Sequence, residues 1–226
     1  MKITYYGHFC FGMEVSGKNL LFDPFITPNK LAHNIEVEDI KADYVLLSHG
    51  HQDHVADAEK ILHQSDATLI SNYEIVSYYA EKGFEKGHPM NHGGQAKFDF
   101  GWVKFVNAVH SSVLPDGTYG GNPGGFIIRT EDVNVYFAGD TALTYDMKLI
   151  GEYEDIDLAI FPIGDNFTMG PKDAIIASDF VNCSKVVGAH YDTFPYIEID
   201  KEGAKTSFSK ARKELILMDI GESIEL

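Results

Sequence analysis

The chain has 226 residues, a length that fits one large domain or two small ones against a prior of roughly 150 residues per domain. Hydrophobic residues make up 44% and charged residues 23%, the balance of an ordinary globular protein with enough length to bury a core. Eighteen Lys and Arg face 34 Asp and Glu, a net charge of −16 that argues against nucleic acid as a partner, since phosphate backbones are held by clustered cations.

Other classes fall away on segment length and cysteine use. The longest apolar runs, such as 158–163, are far shorter than the roughly 20 residues of a membrane helix, so no membrane span is expected. Residues 1–6 read as a strand rather than a leader. Cys10 and Cys183 have no partner at metal-ligand or redox spacing, so a disulfide framework is not expected and a cytoplasmic location is the default.

Along the chain, residues 12–15 turn through 16–19 into 20–22 and stop at Asp23. Residues 126–129 turn through 130–132 into 133–138 and stop at Gly139-Asp140. Both read as hairpins ending in an aspartate, a pattern that suggests a duplicated half, although two unrelated hairpins would look the same. Strands are predicted at 44–47, 68–70, 103–109, 158–161 and 186–187. A helix is predicted over 55–64 from the spacing of Val55, Ala58, Ile61 and Leu62, and another from Pro171, which suits a first helical position. The segment 111–125, rich in Gly, Pro and Asn, reads as a long loop. No linker divides these elements, so a single domain over 1–226 is expected. Strands alternating with helices plus two hairpins predict an α/β sandwich with central sheets and outer helices.

Four predicted strands run into ligand-type residues. The first reaches His49-x-His51-x-Asp53-His54, and the others reach His110, Asp140 and His190. In open α/β architectures ligands collect beyond the carboxyl ends of strands, so these residues predict one site. Two imidazoles at i and i+2 on a tight turn can grip one ion, while Asp53 and His54 fall at the start of a helix and can face a second. Imidazole with sparing carboxylate suits zinc and its borderline neighbours.

This ligand order resembles the metallo-β-lactamase superfamily. Tyr6-Gly7-His8, Asp23-Pro24-Phe25, the 164–171 stretch (Gly-Asp-Asn-Phe-Thr-Met-Gly-Pro) and the 190–195 stretch (His-Tyr-Asp-Thr-Phe-Pro) look like its branch of "metal-dependent hydrolases". That branch is related to L-ascorbate-6-phosphate lactonase and, more distantly, to N-acyl-phosphatidylethanolamine phospholipase D. The resemblance spans nearly the whole chain and implies an αββα sandwich with two similar halves. It assigns His49, His51 and His110 to one divalent ion, Asp53, His54 and His190 to a second, and Asp140 to both. Zinc and manganese both fit this shell. Two ions roughly 3.5–4 Å apart then share a water whose pKa falls to about 7, giving a hydroxide that attacks an ester, lactone, amide or phosphodiester. Asp53 is the expected catalytic carboxylate, orienting the hydroxide or shuttling its proton. The substrate is expected to be a small molecule, with an anionic group admissible because the ions carry net positive charge.

Several residues keep two readings. His8 is either a buried, backbone-bonded histidine or a residue supporting the ligands or substrate. Asp165 and Asn166 either line the substrate cleft or cap the helix before Pro171. Tyr191 and Thr193 follow a ligand directly, so their hydroxyls can lie near the site. His88 and His92 read as loop residues, and His33 and His63 have no supporting context.

Related chemistries on such a scaffold fit less well. Glyoxalase-type enzymes continue the Asp-His motif differently from Val55-Ala56-Asp57, and nuclease branches need a cap or basic arm that is not evident here. Class B lactamases use an altered second-metal set. Diiron flavoproteins place Glu where His51 stands and need an appended flavin domain. A non-catalytic, metal-dependent binding or sensing protein is the alternative to a hydrolase. A homo-oligomer stays open, because no feature selects a symmetry.

Overall fold

The first predicted hairpin forms as β2 (Cys10–Val15) and β3 (Lys18–Phe22). Ser16 (φ 51°) and Gly17 (φ 74°) make its two-residue turn, whose left-handed backbone matches the twist of the flanking strands. The second forms as β9 (Gly124–Arg129) and β10 (Asn134–Phe137). In the computed structural model, which describes residues 1–226, each hairpin sits at the heart of a seven-stranded sheet.

The first sheet adds β1 (Lys2–Gly7), β4 (Tyr44–Leu46), β5 (Thr68–Asn72) and β6 (Gly87–Met90). The second comprises β7 (Gln95–Phe98), β8 (Gly101–Asn107), β9, β10, β11 (Leu158–Pro162), β12 (Lys185–Ala189) and β13 (Glu214–Ile216). A final strand, β14 (Ser223–Glu225), returns to pair with β1. The orders are β14-β1-β2-β3-β4-β5-β6 and β13-β12-β11-β10-β9-β8-β7. Each sheet begins as an antiparallel meander and continues as parallel strands, so β3 and β10 hold equivalent central positions.

Three apolar clusters define four layers. One joins the facing sides of the two sheets, among them Phe11, Phe22, Phe126 and Phe137. A second packs the first sheet under α2 (Ala58–Ser65) and α3 (Tyr73–Glu81), and a third packs the second sheet under α4 (Asp146–Tyr153), α5 (Pro171–Phe180) and α6 (Lys201–Lys210). The fold is the expected αββα sandwich, and β11, buried along its whole length, carries the continuous apolar run typical of a parallel strand covered on both faces. No helix is long and apolar enough to cross a membrane.

Differences from the sequence reading have physical causes. The helix expected over 55–64 is broken into α1 (Gln52–Val55) and α2, because Asp57 turns its carboxylate to accept from the Ile26 and Thr27 amides at 2.7 and 2.9 Å. The strand expected to reach Val109 leaves the ladder after Asn107, where Ala108 donates to Pro123 and Val109 to the Thr141 hydroxyl. The loop between β8 and β9 is tied down by the Asn72 side chain, which donates to the carbonyls of Gly120 and Asn122.

Phe137 is fully buried between the sheets, with ring centroids 4.7 Å from Phe22 and 4.8 Å from Phe9. Phe137→Ala is expected to lower stability by about 3–5 kcal/mol, read as a shift in the denaturant midpoint at constant slope.

Candidate metal centre

The residues predicted to converge do so at the carboxyl ends of the strands. His8 follows β1, the stretch 49–54 follows β4, His110 follows β8, Asp140 follows β10 and His190 follows β12. His8 (φ 57°) and His190 (φ 55°) are left-handed, so the chain reverses as it leaves each strand, and the His190 amide donates to the His8 carbonyl at 2.8 Å across the two sheets. Gly139 (φ 63°) lets Asp140 approach the first sheet, because a Cβ there would lie 2.8 Å from both the Gly124 carbonyl oxygen and Ser48 Cβ.

Two groups of ligand atoms flank Asp140, alongside a third, fully buried set of Asp23, His49 and His54. Those of His49, His51 and His110 lie within 4.8 Å of one another, as do those of His8, Asp53, His54 and His190. Asp140 Oδ2 stands between the groups, 4.0 Å from His49 Nε2 and 3.5 Å from His110 Nε2 on one side. On the other it is 3.3 Å from His54 Nε2 and 3.0 Å from His190 Nε2. His8, His49, His54, Asp140 and His190 are buried, whereas His51, Asp53 and His110 are partly exposed and mark the open side.

Neighbouring hydrogen bonds fix which ring nitrogens face inward. Asp23, buried at the end of β3, accepts from the Ser48 amide (2.8 Å), the Ser48 hydroxyl (2.6 Å) and His54 Nδ1 (2.8 Å). With its proton on Asp23, the Ser48 hydroxyl accepts from His49 Nδ1 at 2.9 Å. His51 Nε2 lies 3.3 Å from the Ser111 hydroxyl, consistent with an Nε2–H donor. His49 Nε2, His51 Nδ1 and His54 Nε2 are therefore left with lone pairs aimed inward, a donor set that outer-shell bonds characteristically arrange for a cation. The 2.9 Å approach of His49 Nε2 to His51 Nδ1 then brings two lone pairs towards one point.

The residues fit a divalent cation on a second observation. Buried His54 Nε2, His190 Nε2, His190 Nδ1 and Asp140 Oδ1 have no hydrogen-bond partner, although two of these nitrogens lie within 3.3 Å of Asp140 Oδ2. Each such group costs about 1–3 kcal/mol when buried unsatisfied, and a cation among them removes that cost. Burial, reinforced by His54, pushes His49 well below the usual imidazole range, and burial lowers His51 and His110 too, keeping these rings neutral as ligands must be. Burial disfavours charge on His54 as well, but Asp140 and Asp53 outweigh it and raise its pKa well above the usual range. A metal ion at His54 Nε2 competes with the proton that this shift favours.

His8 faces Asp53. A carboxylate can only accept, so His8 Nε2 donates to Asp53 Oδ2 at 3.1 Å, and the Thr193 hydroxyl, 2.9 Å from His8 Nδ1 and 3.3 Å from the Tyr191 carbonyl, gives its one proton to the nearer, ring nitrogen. Burial, with His190 alongside, lowers the His8 pKa to about 3. Burial would raise Asp53, but His54 and the His8 hydrogen bond overcome it and hold the carboxyl well below its usual range.

The remaining candidates lie apart from the cluster. Asp165 and Asn166 are exposed on the loop after β11 and line a cavity of about 810 Å³ with Tyr196 and the first turns of α5 and α6. Neither caps α5, whose N-cap Gly170 receives no side-chain bond. The Tyr191 ring is buried in the helix-side cluster with Ile163 and Phe208. His92 donates to or accepts from nothing in the cluster; it stacks on Phe105 and its Nε2 lies 2.8 Å from the Pro123 carbonyl, consistent with an Nε2–H donor. His33, His63 and His88 join neither group. Sequence reasoning gave Asp23, Ser48 and Ser111 no role at the site. The signal available for Asp23 was its place after an apolar strand, the same signal that singled out Asp140.

Comparison with known proteins places this geometry among relatives. Residues 2–190 match the family described as a beta-lactamase superfamily domain. A UPF0173 metal-dependent hydrolase of Flavobacterium johnsoniae is 60% identical over 226 residues, covering 100% of both chains. One of Christiangramia forsetii is 58% identical over 227 residues, again covering 100% of both. Among solved structures, Igni18, a metallo hydrolase from the hyperthermophilic archaeon Ignicoccus hospitalis, matches with a TM-score of 0.90 at 36% identity, covering 100% of this chain and 98% of that one.

Asp23→Asn keeps the size of the side chain but offers one acceptor where three donors converge, and its amide forces His54 or Ser48 into the wrong orientation. Metal affinity, measured by chelator competition, is expected to fall about 10–100-fold with the circular dichroism spectrum retained. Unchanged affinity would show that Asp23 does not set the ligand orientation.

Proposed function

Because the chain belongs to the beta-lactamase superfamily as one of its UPF0173 metal-dependent hydrolases, we propose that it is a binuclear hydrolase of small-molecule esters, lactones or phosphodiesters. The observation that carries the proposal is Asp140 Oδ2, buried within 4.0 Å of imidazole nitrogens from both groups. In this reading His49, His51 and His110 hold one divalent ion, Asp53, His54 and His190 hold the other, and Asp140 serves both. Zinc and manganese both suit the nitrogen and oxygen donors. Such a pair supplies Lewis acidity and lowers the pKa of water towards about 7.

The protein's own groups then define the chemistry. His8 fixes Asp53 Oδ2, leaving Oδ1 free to accept a hydrogen bond from the attacking water. A carboxyl held this far down is a weak base, so Asp53 would orient the water and hand its proton on to the leaving-group oxygen rather than keep it. Thr193 and His8 are positioning residues, since they reach the reacting atoms only through Asp53. The partly exposed His51, Asp53 and His110 leave the substrate side open. We take residues 1–226 as one domain, because β14 closes the sheet that β1 begins. A cytoplasmic setting agrees with Cys10 and Cys183 being buried free thiols.

His51→Ala and Asp140→Ala are expected to lose one or both metals by elemental analysis and to reduce hydrolysis to background, with the fold retained by circular dichroism. Full occupancy with unchanged turnover would defeat the ligand assignment. Thr193→Val removes the donor that fixes the His8 tautomer and is expected to lower kcat by about tenfold with KM nearly unchanged, while Thr193→Ser restores it. Equal kcat in both variants would sink the relay.

A further inference from the structure

The loops around the centre combine two features that hydrolysis does not itself require, aromatic surface and an absence of positive charge. Segments 8–9, 23–29, 47–57, 108–123, 138–145, 163–170 and 190–200 follow the carboxyl ends of β1, β3, β4, β8, β10, β11 and β12. None of the 18 Lys and Arg falls in them, whereas nine Asp and Glu do, and five of these (Asp116, Asp165, Asp192, Glu198 and Asp200) are neither buried nor ligand-type residues. Of the cations at their borders, Lys201 is paired with Asp192 at 2.9 Å and Lys148 donates to the Tyr145 hydroxyl at 3.1 Å. Lys172 shares its cavity with Asp165, Asp173, Glu198 and Asp200, and Lys30 is exposed.

The aromatic surface is continuous with the centre. The His8 ring that holds Asp53 has Phe25 and Phe194 edge-on at 5.4 and 5.5 Å, and these two phenylalanines are 6.2 Å apart. Phe25 is buried and Phe194 half-buried, so Phe194 carries the wall out to solvent. On the loops after β11 and β12, Phe167 and Tyr196 meet edge to face at 6.2 Å while remaining 53% and 76% exposed. Of these rings Phe194 is the one that joins the centre through His8, and a half-buried ring beside a buried polar centre is a surface that an apolar ligand group covers.

Resting on the hydrolytic reading above, we infer that the substrates are neutral carboxylic esters or lactones whose apolar acyl group lies against Phe194, and that the rim discriminates against anionic substrates, phosphodiesters included. Charge held at the centre acts on the bond being cleaved. The rest of the substrate meets carboxylates and ring faces, where an anion loses water without gaining a partner.

The test compares p-nitrophenyl butyrate with mono-p-nitrophenyl succinate on the metal-loaded protein. The two share a leaving group and a four-carbon acyl chain and differ in a terminal methyl or carboxylate. The neutral ester is expected to have a kcat/KM at least about tenfold higher, with the gap narrowing as salt is raised. Phe194→Ala is expected to raise KM for the butyrate about fivefold with kcat within about twofold, and Phe194→Lys to close the gap between the esters. Equal kcat/KM values, a preference for the succinate, or faster cleavage of bis(p-nitrophenyl) phosphate than of the butyrate overturns the inference and leaves the hydrolase standing. Cleavage of none of the three overturns the hydrolytic reading instead. Calorimetry with butyranilide and succinanilate then reads the rim alone: tighter binding of the neutral anilide supports the preference, and equal or reversed affinity overturns it.

Discussion

Asp140, only 3% exposed, holds one carboxylate oxygen, Oδ2, beside four imidazole nitrogens that arrive from both sheets. A buried carboxylate needs hydrogen-bond donors or positive charge to compensate it, and around Asp140 Oδ2 the four rings supply that compensation only as N–H protons or through a shared cation. This constraint organises the site. It calls for a left-handed glycine at Gly139, for a strand that stops one residue before that turn begins its approach, and for a rigid apolar layer behind it. Phe137 in the inter-sheet cluster provides that layer three residues upstream.

The matching strand orders of the two sheets bring a second aspartate to the same histidine. β3 and β10 hold equivalent central positions in the two sheets, and Asp23 and Asp140 follow them. His54 lies between the two, with Nδ1 2.8 Å from Asp23 and Nε2 3.3 Å from Asp140. One aspartate, reached by the outer nitrogen, sets the tautomer; the other faces the inner nitrogen where a cation would bind. Equivalent positions have thus taken complementary tasks, and through Ser48 the outer aspartate also orients His49 in the other ligand group. The groups that would hold separate ions therefore share one outer carboxylate as well as one inner one.

The histidines and Asp140 were legible in the sequence because each ends an apolar run, and an apolar run predicts both a strand and the direction in which its last residue points. The hairpins and β11 were legible for the same reason, and α5 from the proline that opens it. Elements whose stability comes from what they pack on were not: α6 has mostly exposed residues with only Ala204 and Phe208 buried, and β13 and β14 are three-residue edge strands. Asp57 shows the other limit, since its helical spacing was real but a long-range bond to the 26–27 backbone ended the helix there. Tyr191 shows a third. Adjacency to His190 suggested a shared environment, yet the left-handed turn at His190 sends the two side chains to opposite sides of the second sheet's end, one to the metal group and one to the helix-side core.

Distance from the strand end also separates what is fixed from what is free. The ligand-type residues stand one to three residues beyond the strands on which they depend, except the 49–54 stretch, which gains rigidity from α1. Backbone bonds between loops, such as His190 to His8, Gly124 to Ser48 and Met169 to Thr141, leave them little room to move. Phe167 and Tyr196 lie five to seven residues out, exposed, and touch one another rather than the cluster. Side chains so placed can be exchanged without disturbing the lone pairs that converge at Asp140. The same scaffold can therefore keep one centre and change what it admits, and the character of its mouth is written in the charge and aromaticity of the outer loops.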